Sequence, residues 1–337
     1  MDRRAAGLTM KKLRVLLLTH GPLRSKEQEG RKVFVGKERK TENDVLGALE
    51  RLGHVIDVLA LEDSLDPLAD QVAASPPDVV FNLLMKFKDD PAHEPNVASY
   101  LELCGVPYTG CSATGITLAR DKALSKQVLD WHGIPTPPWR LFRRGAKSIG
   151  ADFAFPMLVK PSDASGSVGI VKDSRVYDEA ELAARVAFLH ETHGCDVIVE
   201  PFLTGREFTV AVLGNKRLVA WPVRERVFGA DAVVPFMTEK MKWDEDYQAR
   251  NSVRSRDADL EPVRASRLQK LARDACRALG LRGFARVDIR MDGDGHPFVL
   301  EVNPNPELDF DEDFVHAGLA LGLQPDDTIQ KIVQLAL

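Results

Sequence analysis

Apolar and polar positions change period along the chain, and the changes mark its elements. Leu13–Thr19 is an apolar, β-rich run closed by His20-Gly21-Pro22. Asp44–Leu52 places apolar residues at helical spacing and stops at Gly53, while Val55–Leu59 and Asp78–Asn82 return to strand character. Strands alternating with a helical segment predict a parallel sheet with helices on its faces. Val97–Cys104 predicts another helix, closed by Gly105-Val106-Pro107. Between Arg24 and Lys40 the pattern fails. That Lys/Arg-rich stretch, with Gly30 and Gly36, predicts a solvated loop, and its sharper alternative is a flap over an anionic substrate.

Thr117–His132 predicts one helix, stopped by Gly133-Ile134-Pro135-Thr136-Pro137-Pro138, which is the strongest linker signal in the chain. Beyond it, strands are predicted at Phe155–Lys160, Ile170–Lys172, Val197–Pro201 and Glu207–Leu213, with helices at Glu179–Thr192 and Leu260–Gly280. Ser162–Gly169 is a Ser/Gly loop. Arg224–Asp259 is long, polar and without period, and predicts a mobile active-site loop. Phe284–Val302 predicts a hairpin around Asp292-Gly293-Asp294-Gly295.

Composition narrows the class without naming a function. At about 150 residues per domain, the 337 residues make roughly two domains, with three small ones as the alternative. The 44% hydrophobic and 28% charged shares exclude a disordered chain. A net charge of −5 offers no overall attraction to nucleic acid or to an anionic membrane, so neither is an expected partner. Cys104, Cys111, Cys195 and Cys276 form no metal-ligand spacing and read as free thiols of a reducing cytoplasm. The longest early apolar run, Val15–Leu18, is too short for a signal or a membrane span. Residues 1–9 read as an extension ahead of Met10.

The hairpin carries the most chemistry. A four-residue loop at 292–295 would place Ile289 opposite Phe298 and Val287 opposite Leu300 on an apolar face that includes Ala285 and Val302. The other face would set Arg286 opposite Glu301, with Asp288 diagonal and Asn303 two residues on. An ordinary cross-strand pair on a solvated face explains this about as well as chemistry does. The chemical reading is sharper: Asp288, Glu301 and Asn303 offer hard oxygen ligands suited to Mg²⁺, and an adjacent arginine can stabilise charge on a transferred phosphoryl group.

Upstream, Lys160 ends an apolar strand ahead of the small-residue loop, where a point charge and loop amides can meet phosphate. A plain strand end and turn is an equal reading. No G-x-x-x-x-G-K-[ST] and no G-x-G-x-x-G after the first strand are present. Glu200 at a strand end and Glu207 after the next turn could meet adenine and ribose, a weak signal by spacing alone.

Taken in order, VVFNLL (79–84), LELCGVPYTGCS (101–112), DKALSKQVL (121–129), GIPTPPW (133–139), FPMLVKPSDASGSVGI (155–170), VIVEPFLTGREFTVAV (197–212), FARVDIR (284–290) and FVLEVNPNP (298–306) resemble the ATP-grasp superfamily, and within it the D-alanine–D-alanine ligase group. The resemblance implies an α/β, three-lobed architecture divided at 1–116, 117–206 and 207–337, with ATP between the last two lobes. It implies nucleotide and phosphate contacts from Lys122 and Lys160, a closing loop at Ser167, adenine contacts from Glu200 and the Leu203 backbone, and a ribose contact from Glu207. Asp288, Glu301 and Asn303 match the ligands of Mg²⁺ (Mn²⁺ being the alternative ion), Arg286 the oxyanion-stabilising arginine, and Lys242-Trp243 the pair covering the γ-phosphate. The implied reaction joins a small-molecule carboxylate to an amine through an acyl phosphate, and dimers in the group leave a homodimer open.

Both substrate-facing segments depart from the group. Its S-x-E-x-x-V-S segment is replaced by the basic Gly21–Lys40, where only Glu42 could partly stand in. Its N-T-x-P-G-M-T becomes Asn303-Pro304-Asn305-Pro306-Glu307-Leu308-Asp309, Pro201 takes the place of a lysine, and Gly166 that of a serine. These changes predict substrates other than two D-alanines, with a D-alanine–D-alanine ligase or a silent ATP-binding regulator as alternatives.

Overall fold

The computed structural model describes residues 11–28, 31–146, 152–164, 166–230 and 232–337. The extension predicted over residues 1–9 lies outside them, as do Gly30 of the basic segment and Ser165 of the Ser/Gly loop. The chain packs as two compact units. One takes the chain up to Thr109 with Leu308–Phe310 and Leu323–Leu337, and the other holds Gly110–Glu307 with Asp311–Gly322.

In the smaller unit, strands Val55–Leu61, Arg14–His20 and Val79–Asn82 pair in parallel in that order. Val15 to Leu18 and Phe81 are buried on both faces, which is why the central strand reads as an unbroken apolar run. Helix Lys40–Arg51 buries Val45, Leu46, Ala48 and Leu49. It starts four positions ahead of the predicted Asp44 because its first turn is buried through polar atoms. Glu42 accepts from Thr19 Oγ1 at 2.8 Å and from Arg39 at 2.6 Å. Helix Asp66–Ala74, unread in the sequence, buries only Leu68, and helix Pro325–Ala336 pairs Asp326 with both donors of Arg51. The predicted Arg24–Lys40 loop is corrected: Ser25–Gln28 and Arg31–Phe34 form a two-stranded ribbon.

Among the described residues the larger unit holds two sheets. Strands Arg140–Phe142, Val197–Pro201, Met157–Pro161 and Arg175–Val176 form the first, and helix Glu179–Thr192 closes its core with Leu182, Val186 and Leu189. The second runs Arg254–Asp257, Arg224–Val227, Glu207–Gly214, Gly283–Met291, Pro297–Pro304. All these pairings are antiparallel. Parallel pairing and helices in the first unit with antiparallel sheets in the second make the α/β architecture expected of the ATP-grasp fold.

Several local expectations change. The predicted Ile170–Lys172 strand is instead the approach to a short 3₁₀ turn, and strand pairing begins at Arg175. Arg224–Asp259, read as a mobile loop, folds as strand, helix Glu239–Trp243, helix Glu245–Arg250 and strand. Thr117–His132 is two helices, Ala113–Arg120 and Lys122–Trp131, divided at an extended Asp121. The Asp121 carboxylate caps the second helix, accepting from Ala123 N at 2.8 Å and Leu124 N at 3.0 Å. The Gly133–Pro138 segment lies inside the larger unit, where Val299 N donates to Pro135 O at 2.8 Å.

The hairpin register also differs from the expected one. Its loop includes His296, because Asp292 Oδ1 accepts from the amides of both Asp294 and His296. Asp288 pairs with Glu301 and Ile289 with Val299, leaving Leu300 as an extra, bulged residue. Val299 therefore enters the core in place of Phe298 and Leu300, beside the expected Val302, while Leu300 and Glu301 line one cavity together. Arg286 pairs with Asn303 rather than Glu301.

Asp121 sets both a helix start and the position of Lys122, so Asp121→Ala should lower stability by about 1 kcal/mol. Urea unfolding measures this, and an unchanged midpoint would show that the cap contributes nothing.

Candidate functional site

The capped helix Lys122–Trp131 places Lys122 and Lys126 one turn apart on the same face. Strand Met157–Pro161 carries Lys160 one residue before its end, and the neighbouring strand sets Glu200 opposite Leu158. Glu200 is 1% exposed and lies between two ammonium groups, with Lys126 Nζ 2.7 Å from Oε1 and Lys160 Nζ 2.8 Å from Oε2. Burial pushes the Glu200 carboxyl up, but the two lysines outweigh it and hold it below the ordinary carboxylate range. Burial pushes Lys126 down to about 8, against the pull of Glu200. Lys122 Nζ donates to Ala164 O and stands 3.4 Å from Glu301.

Ser167 sits in the loop after Lys160 at φ +61°, a left-handed conformation that costs a non-glycine residue energy. The loop is tied at both ends. Trp243 Nε1 donates to Gly166 O at 3.2 Å, and Gly169 N donates to Glu239 at 2.8 Å. Lys242 lies over the Trp243 ring and 3.4 Å from Glu307.

On the bulged hairpin, Arg286 donates to both oxygens of Asp288, at 2.8 and 3.0 Å, and Asn303 Nδ2 donates to Asp288 Oδ2 at 3.1 Å. Burial works against the Arg286 charge, yet Asp288 outweighs it and raises the guanidinium above its ordinary value. Glu207 accepts from Arg290 at 2.9 Å and from Arg226 at 3.3 Å. Arg226 also reaches Asp313 Oδ2 at 3.3 Å, where Thr209 donates at 3.2 Å, and Ser255 donates to Oδ1. Burial pushes the Asp313 carboxyl up; Arg226, Ser255 and the neighbouring arginines outweigh it and hold the group low.

Two cavities within the larger unit gather these groups. One is lined by Lys122, Lys160, Glu200, Leu203 and Glu207, and the other by Lys242, Arg286 and Asn303, with Ser167, Asp288 and Glu301 lining both. The structure therefore brings together every sequence-predicted site residue except Trp243, which is exposed and touches the loop instead. Sequence reasoning missed Lys126, Arg226, Arg290 and Asp313. Only Lys126 had a legible signal, a second lysine four positions after Lys122 on a face that must be buried.

The lysine-lined cavity suits a polyphosphate. The acceptor-rich strand end and turn suit a base and a sugar, and the paired carboxylates with an amide oxygen suit a hard divalent cation. Residues 128–334 match the family model described as the D-ala D-ala ligase C-terminus. An uncharacterized protein, y4sG, of Sinorhizobium fredii is 32% identical over 87% of this chain and 86% of its own length. A D-alanine–D-alanine ligase of Pelotomaculum thermopropionicum is 30% identical, over 72% of this chain and 75% of its own. The crystal structure of D-alanine–D-alanine ligase from Bacillus anthracis superposes with a TM-score of 0.74 at 23% identity, covering 96% of this chain and 97% of that one. Among the described residues no helix is long and apolar enough to cross a membrane.

Asp313 and Glu200 are held below the ordinary carboxylate range, so the unfolded chain takes up their protons first as the pH falls. Their stabilisation is full at neutral pH and lost as the pH drops through about 4 and below. Asp313→Asn should cost about 3 kcal/mol at pH 7 and flatten the acid slope of stability. Urea unfolding from pH 7 down to pH 3 reads both effects, and an unaltered slope would remove Asp313 from the account.

Proposed function

Because the chain belongs to the D-alanine–D-alanine ligase family, whose ATP-dependent ligase type it shares, we propose that it joins a carboxylic acid to an amine other than the two D-alanines. The carboxylate oxygen attacks the γ-phosphorus of ATP and ADP leaves. The amine nitrogen then attacks the acyl carbon, phosphate leaves, and the nitrogen gives up a proton. The observation carrying this reading is the sharing of Asp288, Glu301 and Ser167 between the cavity of Lys122, Lys160 and Glu200 and that of Arg286 and Lys242.

Within it, Glu200 and the Leu203 backbone would hold the adenine, Glu207 the ribose, and Lys122 and Lys160 the phosphates. Asp288, Glu301 and Asn303 fit Mg²⁺ by donor chemistry. Two carboxylates and an amide lie on adjacent strands, with one carboxylate already neutralised by Arg286. The ion would supply charge neutralisation on the phosphates. Arg286 would stabilise the oxyanion formed when the amine adds, and Lys242 with the Ser167 loop would close over the transferred phosphoryl group. We further propose that the larger unit works as two lobes divided near Arg206, each built on one of its sheets, in a cytoplasmic protein.

Two departures support a change of substrate. Glu42, the residue left to stand in for the group's first-substrate glutamate, is buried and engaged by Arg39 and Thr19. At the other segment the group's glycine is replaced by Glu307, whose carboxylate lies against Lys242. A second acid there disfavours an acceptor that brings its own carboxylate.

An ADP-release screen over amino acids, dipeptides, amines and dicarboxylates, followed by product mass, should find an acid–amine pair that outperforms D-alanine. Full turnover with D-alanine alone would overturn the substrate reading. With the productive pair, Asp288→Asn should lower kcat by about a hundredfold or more while the protein unfolds at a near-native temperature. Wild-type turnover would sink the metal assignment.

A further inference from the structure

We infer that Lys126 is a positioning residue: it holds the Glu200 carboxylate in place for base recognition and so frees Lys160 to meet phosphate. The inference rests on the nucleotide reading proposed above.

Glu200 is shared by two lysines that stand in different places. Lys160 lines the cavity beside Lys122 and Ser167, whereas Lys126 is absent from that lining and is almost wholly buried. Lys126 is also anchored from behind. Its ammonium donates to Thr136 Oγ1 at 2.5 Å, and the Thr136 hydroxyl donates onward to Val299 O at 3.0 Å. Lys160 has no such second anchor in the described structure. One carboxylate facing two ammonium groups leaves a surplus positive charge in a buried place, which an incoming polyphosphate would neutralise.

The division of labour follows. If Lys160 turns toward phosphate with no second cation present, Glu200 is left as an unpaired carboxylate out of water, and such a group takes up a proton. A neutral Glu200 donates a hydrogen bond where the ionised one can only accept. Adenine presents an amino donor at the position where guanine presents a carbonyl acceptor. Lys126, by keeping Glu200 ionised after Lys160 has moved, keeps the site selective for adenine. A lysine serving only to fill space would have no bearing on which purine binds.

The test is calorimetric titration of the whole protein with ATP and with GTP in the presence of magnesium, comparing the ratio of the two dissociation constants. Wild type should prefer ATP. Lys126→Met, native by circular dichroism, should cut that preference by about tenfold, and Lys126→Arg, which keeps the charge, should restore most of it. Should Lys126→Met fail to fold, Thr136→Val removes the rear anchor alone and should cut the preference by about threefold. Glu200→Gln is the control for the reading underneath and should abolish the preference. A folded Lys126→Met or Thr136→Val variant with wild-type preference, alongside a Glu200→Gln variant that has lost it, overturns the role of Lys126 alone. Unchanged preference in Glu200→Gln overturns the adenine contact and the inference with it.

Discussion

A carboxylate taken out of water must be met by cations, and the larger unit of this protein is arranged around meeting that requirement. Glu200 sits between Lys126 and Lys160, Asp288 takes both donors of Arg286, Glu207 is shared by Arg290 and Arg226, and Asp313 is ringed by Arg226, Thr209 and Ser255. Burial alone would drive Glu200 and Asp313 toward their neutral forms, and their cationic neighbours outweigh it. Each of the four acids in turn fixes the cation facing it. The site is thus densely charged, with Lys122, Lys126 and Lys160 on the first sheet and its preceding helix and Asp288 and Glu301 on the hairpin. Lysines facing carboxylates suit a metal-bound polyphosphate, and the modest net charge of the chain conceals them.

Geometry on the hairpin depends on one residue. A regular ladder would alternate Leu300 and Glu301 between faces, whereas the bulge turns both toward the cavity. The apolar side chain then offers a surface for a flat ring while the carboxylate next to it faces Asp288. Two side chains that alternation would separate thus line one cavity.

What could be read from the sequence depended on whether burial was achieved with carbon. The parallel strands and helix Glu179–Thr192 were legible because most of their hidden positions are apolar, as at Val15 to Leu18, Val79 to Phe81, Leu182, Val186 and Leu189. Helix Lys40–Arg51 lost its first turn because Glu42 is buried by ion pairing, to which a hydrophobic pattern is blind. Arg224–Asp259 looked irregular for the same reason: Arg224 and Glu225 are buried and Arg226 is half-buried, held by Asp257, Arg206, Arg256, Glu207 and Asp313. The ribbon Ser25–Gln28 with Arg31–Phe34 has an exposed first strand, which gives alternation nothing to mark. A single-residue bulge leaves no signature in composition or period. Of the residues expected at the site, all but Trp243 line the two cavities. Lys126, Arg226, Arg290 and Asp313 escaped because their importance lies in what they touch.

The claim at the centre of this account is that a substrate carboxylate is activated by phosphorylation before an amine captures it. It is tested most directly by supplying the acid with ¹⁸O in its carboxylate, together with ATP, magnesium and the partner amine, and weighing the released phosphate. Transfer of one labelled oxygen from acid to phosphate for each amide formed is the predicted result. Amide formation with unlabelled phosphate, or ADP release with no amide product, would contradict it.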